Sequence, residues 1–133
     1  MPFYFSPRNP MLFKRKEKQS EIVILKISSE VLNWANKTIF TDGNAASSGT
    51  SFFKGGSYNL KNLSKLDWDC LRSDFWNDFE DGKRKKCAEV LVKGRLYPSK
   101  IQGAIVRNKA LKEKIDSKVP WTVEVNTKFF FSH

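Results

Sequence analysis

Apolar and polar positions along the chain fall into short runs, each bounded by turn residues or charge. "PFYF" (2–5) reads as a short aromatic strand, halted by "SPRNP", where two prolines and an asparagine impose a turn. "KRKEK" (14–18) reads as a solvated, loop-like charge run, and the β-branched "EIVILKI" (21–27) as a largely buried strand. "SSEVLNWAN" predicts a short helix capped by Ser28 or Ser29, and "KTIFTDGN" a strand closed by an Asp42-Gly43 turn. The small residues of "NAASSGTSFF" (44–53) suit the opening of a helix and let backbone approach a neighbour closely; "KGGSYN" is loop.

Over 63–76, "LSKLDWDCLRSDFW", Leu63, Leu66 and Cys70 share one helical face and Trp68, Leu71 and Phe75 an adjoining one. That width of apolar stripe predicts a well-buried helix. "KRKKC" (83–87) reads as a helical turn or a loop. "AEVLV" (88–92) and "IQGAIV" (101–106) read as strands, "NKALKEKI" as a helix capped by Asn108, and "WTVEVNTKFFF" as a closing strand. Strands and helices mixed without a βαβ repeat predict an α+β fold.

The 133 residues fit one domain. No apolar window is long enough for a transmembrane helix, and the amino terminus lacks the pattern of a secretion signal. Cys70 and Cys87 form no C-x-x-C pair, which argues against a zinc site and fits buried thiols in a reducing cytoplasm. The net charge of +10 and pI near 9.7 favour a polyanionic partner, nucleic acid being the commonest.

The chain's single histidine is its last residue, His133, so a Ser-His-Asp or Cys-His mechanism has no base within it. Neither G-x-G-x-x-G nor a P-loop occurs. The acids of "DWDC" and "NDFED" read as a helix face and its cap, not a metal site. Glu89 is different. In a strand it shares a face with Leu91, opposite Ala88, Val90 and Val92. Such an acid is either half-exposed opposite lysines or a functional carboxylate in a cleft.

The blocks "PFYFSPRNPML" (2–12), "FTDGNAAS" (40–47), "LDWDCLRSDFWND" (66–78), "RKKCAEVLVKGRL" (84–96) and the ending "FFF" together resemble the DarT family. That resemblance implies an ADP-ribosyltransferase-like fold, a split β-sheet around an NAD cleft with helices outside, as a single domain over 1–133. It implies a bacterial toxin that uses NAD as substrate, without a metal, to ADP-ribosylate thymidine in single-stranded DNA. Its partners would be that DNA and a DarG-like macrodomain antitoxin that removes the modification.

Residue by residue, Glu89 matches the family's catalytic glutamate, which follows a basic run as it does here. Arg8 and Met11 match a segment that lines the NAD cleft, and Asn44 falls where a polar side chain, often histidine, meets the ligand. Lys83, Arg84, Lys85 and Lys86 are then placed to hold DNA phosphates. Family members also carry a segment before the block matching "PFYF", with the first NAD-binding strand and helix and a catalytic arginine. The expectation is therefore a carboxy-terminal two-thirds of the enzyme that by itself binds NAD weakly and transfers nothing. Two alternatives stay open: a non-catalytic module that binds single-stranded nucleic acid, and a domain that binds the antitoxin.

Overall fold

The apolar runs become strands where turn residues stop them, and the charged stretches become short helices. The computed structural model describes residues 1–132; His133 lies outside the described residues. In chain order the strands and α-helices are β1 (Pro2–Tyr4), α1 (Pro10–Lys14), β2 (Ile24–Ile27), β3 (Thr38–Thr41), β4 (Phe52–Lys54), α2 (Trp68–Arg72), α3 (Gly82–Lys85), β5 (Glu89–Val92), β6 (Ile101–Val106), α4 (Lys109–Ile115) and β7 (Val123–Val125). They group into two compact units, Met1–Pro10 with Ser29–Leu96, and Met11–Ser28 with the chain from Tyr97 on.

The first unit is built on a four-stranded sheet of order β1-β5-β3-β4, antiparallel throughout. Alternation decides its two faces. Phe3, Val90, Phe40 and Phe53 stand in register across it and form the core row. Phe40 is fully buried, meeting Phe53 at 5.4 Å and the edge of Phe5 at 6.4 Å, and Phe5 meets Trp68 edge-on. Burying a side chain of that size contributes about 2–3 kcal/mol. The other face carries the row Pro2, Leu91, Ile39 and Lys54, and beside it the pair Tyr4 and Glu89.

In the second unit β2 pairs antiparallel with β6, with an irregularity between Lys26 and Ile27, and β6 pairs parallel with β7. Parallel neighbours need a crossover, and α4 supplies it. Its cap is the expected one: Asn108 Oδ1 accepts from the N–H of Leu111 at 2.8 Å. Val23, Leu111, Ile115 and Val119 pack on a core of Ala104, Val106 and Val123. Buried Gln19 donates from Nε2 to the Phe131 carbonyl and accepts from the Phe131 N–H at Oε1. Its amide so takes the place of one more strand for the aromatic tail.

Five expectations change. The strand expected to be largely buried over 21–27 is half-buried to exposed throughout, with Leu25 open to solvent, because β2 is an edge strand of its sheet. The helix expected over 63–76 is only α2; residues Ser57–Lys65 form a 3-10 segment instead. Asp67 interrupts the two, because its carboxylate caps α2 by accepting from the Cys70 N–H at 3.1 Å. Residues 45–51 turn rather than open a helix, and Phe52 continues into β4. The charge run 14–18 is mostly helical, lying in α1 and the 3-10 segment Lys16–Glu21. The closing strand is confined to β7, after which Asn126 caps a 3-10 turn through the Lys128 N–H.

Candidate active site

Glu89 opens β5, an inner strand of the four-stranded sheet, and is buried to 9% exposure. Burying a carboxylate is costly unless hydrogen bonds replace water. Here the backbone N–H of Ala45 donates to its Oε2 at 2.8 Å. The backbone is held as well: the Glu89 N–H donates to Oγ1 of Thr41 at 2.9 Å, and that hydroxyl donates to the Gly43 carbonyl at 2.6 Å. Among the described residues every fully buried side-chain oxygen has a hydrogen-bond partner. Oε1 of Glu89, which no donor among the described residues meets, is therefore not fully closed off from solvent. The result is an oriented acid with one oxygen anchored and the other able to receive a hydroxyl.

The anchor depends on the loop after β3. Asn44 shapes it: its Oδ1 accepts from the Ala46 N–H, its carbonyl accepts from Ser47 N–H and Thr50 Oγ1, and its own N–H donates to the Arg84 carbonyl at 2.9 Å. Arg84 clamps the same loop from α3. Its guanidinium meets Asp81 at 2.5 Å, Asp42 at 3.2 Å and Thr50 Oγ1 at 2.9 Å. The Asp81 hydrogen bond is the chief reason its pKa lies above the ordinary arginine value. A Cβ at Gly43 would sit 2.4 Å from an Arg84 nitrogen, so a larger residue there would push the guanidinium out of its clamp. Sequence reading marked the small residues of this loop for close backbone approach without identifying what they approach. The partner is Glu89, 44 positions away from Ala45.

The basic run divides by burial. Lys83 is exposed. Lys85 pairs with Asp67 at 3.2 Å. Lys86 is buried to 1% exposure, and its ammonium donates to the carbonyls of Cys70 (3.2 Å), Leu71 (2.9 Å) and Ser73. These carbonyls close α2, where a helix runs out of intrahelical donors, and that of Cys70 is met by the N–H and hydroxyl of Ser73 as well. Burial pushes the Lys86 pKa below the ordinary lysine value. This corrects the expectation at Lys86: its charge is spent on α2 and is out of reach of a phosphate. Arg84 and Lys85 are likewise committed to acids. Burial also pushes the Cys70 thiol up, as suits the inert, buried cysteine expected.

Arg8, half-buried, donates from Nε to the Asp74 carbonyl at 2.7 Å, within the same unit as Glu89. Met11 lies in α1 and belongs to the second unit, where its carbonyl accepts from Arg15 at 3.2 Å. Among the described residues, no helix is long and apolar enough to cross a membrane.

Fold and family follow in turn. The structure of Thermus sp. 2.9 DarT in complex with NAD+ superposes with a TM-score of 0.86 at 25% identity, over 98% of this chain and 71% of that one. The same enzyme in complex with ADP-ribosylated ssDNA also gives 0.86, over 98% and 68%. The chain thus has an α+β, ADP-ribosyltransferase-like fold. Residues 1–131 match the family described as ssDNA thymidine ADP-ribosyltransferase, DarT. The chain belongs to the DarT family.

Curated relatives are similar in sequence. A DNA ADP-ribosyl transferase of Thermus sp. (strain 2.9) is 33% identical over 100 residues, 69% of this chain and 46% of the relative. One of Thermus aquaticus is 30% identical over 125 residues, 88% and 53%. A DNA ADP-ribosyl transferase-DNA ADP-ribosyl glycohydrolase fusion protein of Thermosipho africanus is 31% identical over 107 residues, 77% and 26%. The chain spans about half the length of the first two relatives.

Proposed function

We propose that this chain carries the glutamate side of an NAD-dependent ADP-ribosyl transfer to thymidine in single-stranded DNA. The observation that carries the reading is the Glu89 carboxylate, fixed through Oε2 by Ala45 with Oε1 not fully closed off from solvent. When the nicotinamide–ribose bond breaks, nicotinamide leaves with the electron pair and the ribose gains oxocarbenium character. A carboxylate that accepts from a ribose hydroxyl and faces the developing cation lowers the energy of that state. The thymine base then forms the new bond at the sugar carbon, and its proton passes to water. Because the acid is held before substrate arrives, no reorganisation is needed at the moment of reaction.

Similarity to DarT structures bound to NAD+ and to ADP-ribosylated ssDNA supports both substrates for this chain. Similarity to a transferase–glycohydrolase fusion supports a toxin reversed by a DarG-like macrodomain antitoxin. Arg8 and Asn44, both in the unit that holds Glu89, are assigned to the NAD side, with Asn44 acting through the loop that presents Ala45. A second reading, binding of single-stranded nucleic acid without transfer, is favoured by the net charge of +10. Incubating the protein, by itself and within a chain of full family length, with NAD and oligonucleotides with or without thymidine separates them, the full-length form deciding. Transfer gives a mass gain of one ADP-ribosyl group on thymidine-containing strands alone. Binding without any mass gain would leave the second reading.

A further inference from the structure

The charges that Arg84, Lys85 and Lys86 spend internally leave open where a polyanion would be held. On the face of the sheet that bears Glu89, a cleft of about 430 Å³ lies over Ile39 and Leu91, with Lys37, Lys54 and Lys93 around it. The lysines come from three elements: the turn before β3, β4, and the residue after β5. Ile39 stands in register with both Leu91 and Lys54, and the Lys93 N–H donates to the Lys37 carbonyl at 2.7 Å, so the backbone fixes the arrangement. All three lysines are exposed, and among the described residues none of them makes an ion pair. Leu91 is two positions from Glu89 on β5, on the same face and about 7 Å along it.

We propose that this cleft holds the sugar–phosphate backbone of single-stranded DNA and leads the strand to Glu89. The inference rests on the transferase reading for its ligand but not for its test. Three separated ammonium groups act as point charges along a track. They offer neither the guanidinium fork nor the ring of backbone N–H groups that suits a compact pyrophosphate. The apolar floor of Ile39, 41% exposed, with half-buried Leu91, gives sugars and base faces a surface to lie on. Such contacts carry no base information; they set register and position.

The test is the salt dependence of binding, read by fluorescence anisotropy of a labelled single-stranded oligonucleotide. Each phosphate contact on a single strand contributes about 0.7 to the slope of log affinity against log salt. The variant K37Q/K54Q/K93Q should therefore flatten that slope by about 2. The variant K109Q/K114Q/K118Q removes the same charge from exposed lysines of the second unit and should leave the slope unchanged. Equal flattening in both variants, or none in the first, overturns the cleft. An altered NAD affinity in the first variant with an unaltered slope would assign the lysines to the dinucleotide and also overturns it. Failure of the transferase reading shows separately, as a slope that behaves as stated with no mass gain on the oligonucleotide from a chain of full family length. A wild-type protein that binds no oligonucleotide overturns both.

Discussion

The N–H of Ala45 points at Oε2 of Glu89 from 2.8 Å, although 44 positions separate the two in the chain. One backbone amide thus decides which carboxylate oxygen is anchored and which is offered. Its position is set by the loop that Asn44 shapes and Arg84 clamps, so the acid's aim is a property of the fold.

Glu89→Gln keeps shape and can keep an acceptor for the Ala45 N–H, but it loses the charge that faces the sugar cation. In a chain of full family length, transfer should fall about 100- to 1,000-fold, the scale of losing one preorganised electrostatic contact. Unfolding free energy should move by no more than about 1 kcal/mol. Mass spectrometry of the oligonucleotide and thermal unfolding check the two halves. Full activity in the variant would remove Glu89 from the chemistry.

Lys86→Met should be a stability mutation. It leaves the carbonyls of Cys70, Leu71 and Ser73 without their shared donor in a buried place, at a cost of about 3 kcal/mol. Lys83→Gln, at an exposed position of α3, should cost under about 0.5 kcal/mol. Urea denaturation of the two variants side by side tests the division of the basic run. Equal effects would contradict it.

Gly82 has no room for a methyl group. A Cβ there would stand 2.0 Å from the Trp76 carbonyl oxygen and 3.2 Å from Phe79 Cβ. Since the nearest atom is backbone, no side chain can swing aside. Gly82→Ala should lose about 3 kcal/mol, with the α3 segment displaced. A melting temperature equal to wild type would show that the Trp76–Gly82 approach is looser than it stands here.

Asp67 caps α2, and its carboxyl is held below the ordinary aspartate value of 3.8, first by the Cys70 N–H and, after the opposing effect of burial, by Lys85. A depressed folded pKa means that the stabilisation is complete above the unfolded value and is lost as pH falls through the folded one. Asp67→Ala should therefore cost about 1 kcal/mol at neutral pH. The gap to wild type should close as pH drops below 3.8. A gap that stays constant down to about pH 2 would mean that the charge contributes nothing.

Much of the architecture was legible from local pattern. β-branched and aromatic runs bounded by turn residues located most of the strands, because alternation and turn chemistry act over a few neighbours. Asn108 announced α4, since a cap needs only the three residues that follow it. Glu89 stands out as a charge in an apolar strand, and its catalytic role is what the resemblance to the DarT family implies. The helix over 63–76 misled because periodicity cannot see Asp67 capping midway, nor a lysine from 13 to 16 positions on taking the carbonyls of Cys70, Leu71 and Ser73.

What only the tertiary structure decided was which like charges are alike. In sequence Lys83, Arg84, Lys85 and Lys86 are one run of cations; in space one is exposed, two meet acids and one is buried under a helix end. Conversely Lys37, Lys54 and Lys93, scattered in sequence, come to one cleft. Composition sets how much charge a chain carries. Where that charge is desolvated, paired or left to a ligand depends on contacts between residues far apart, which the packing of α3 on α2 and the antiparallel pairing of β3, β4 and β5 bring together.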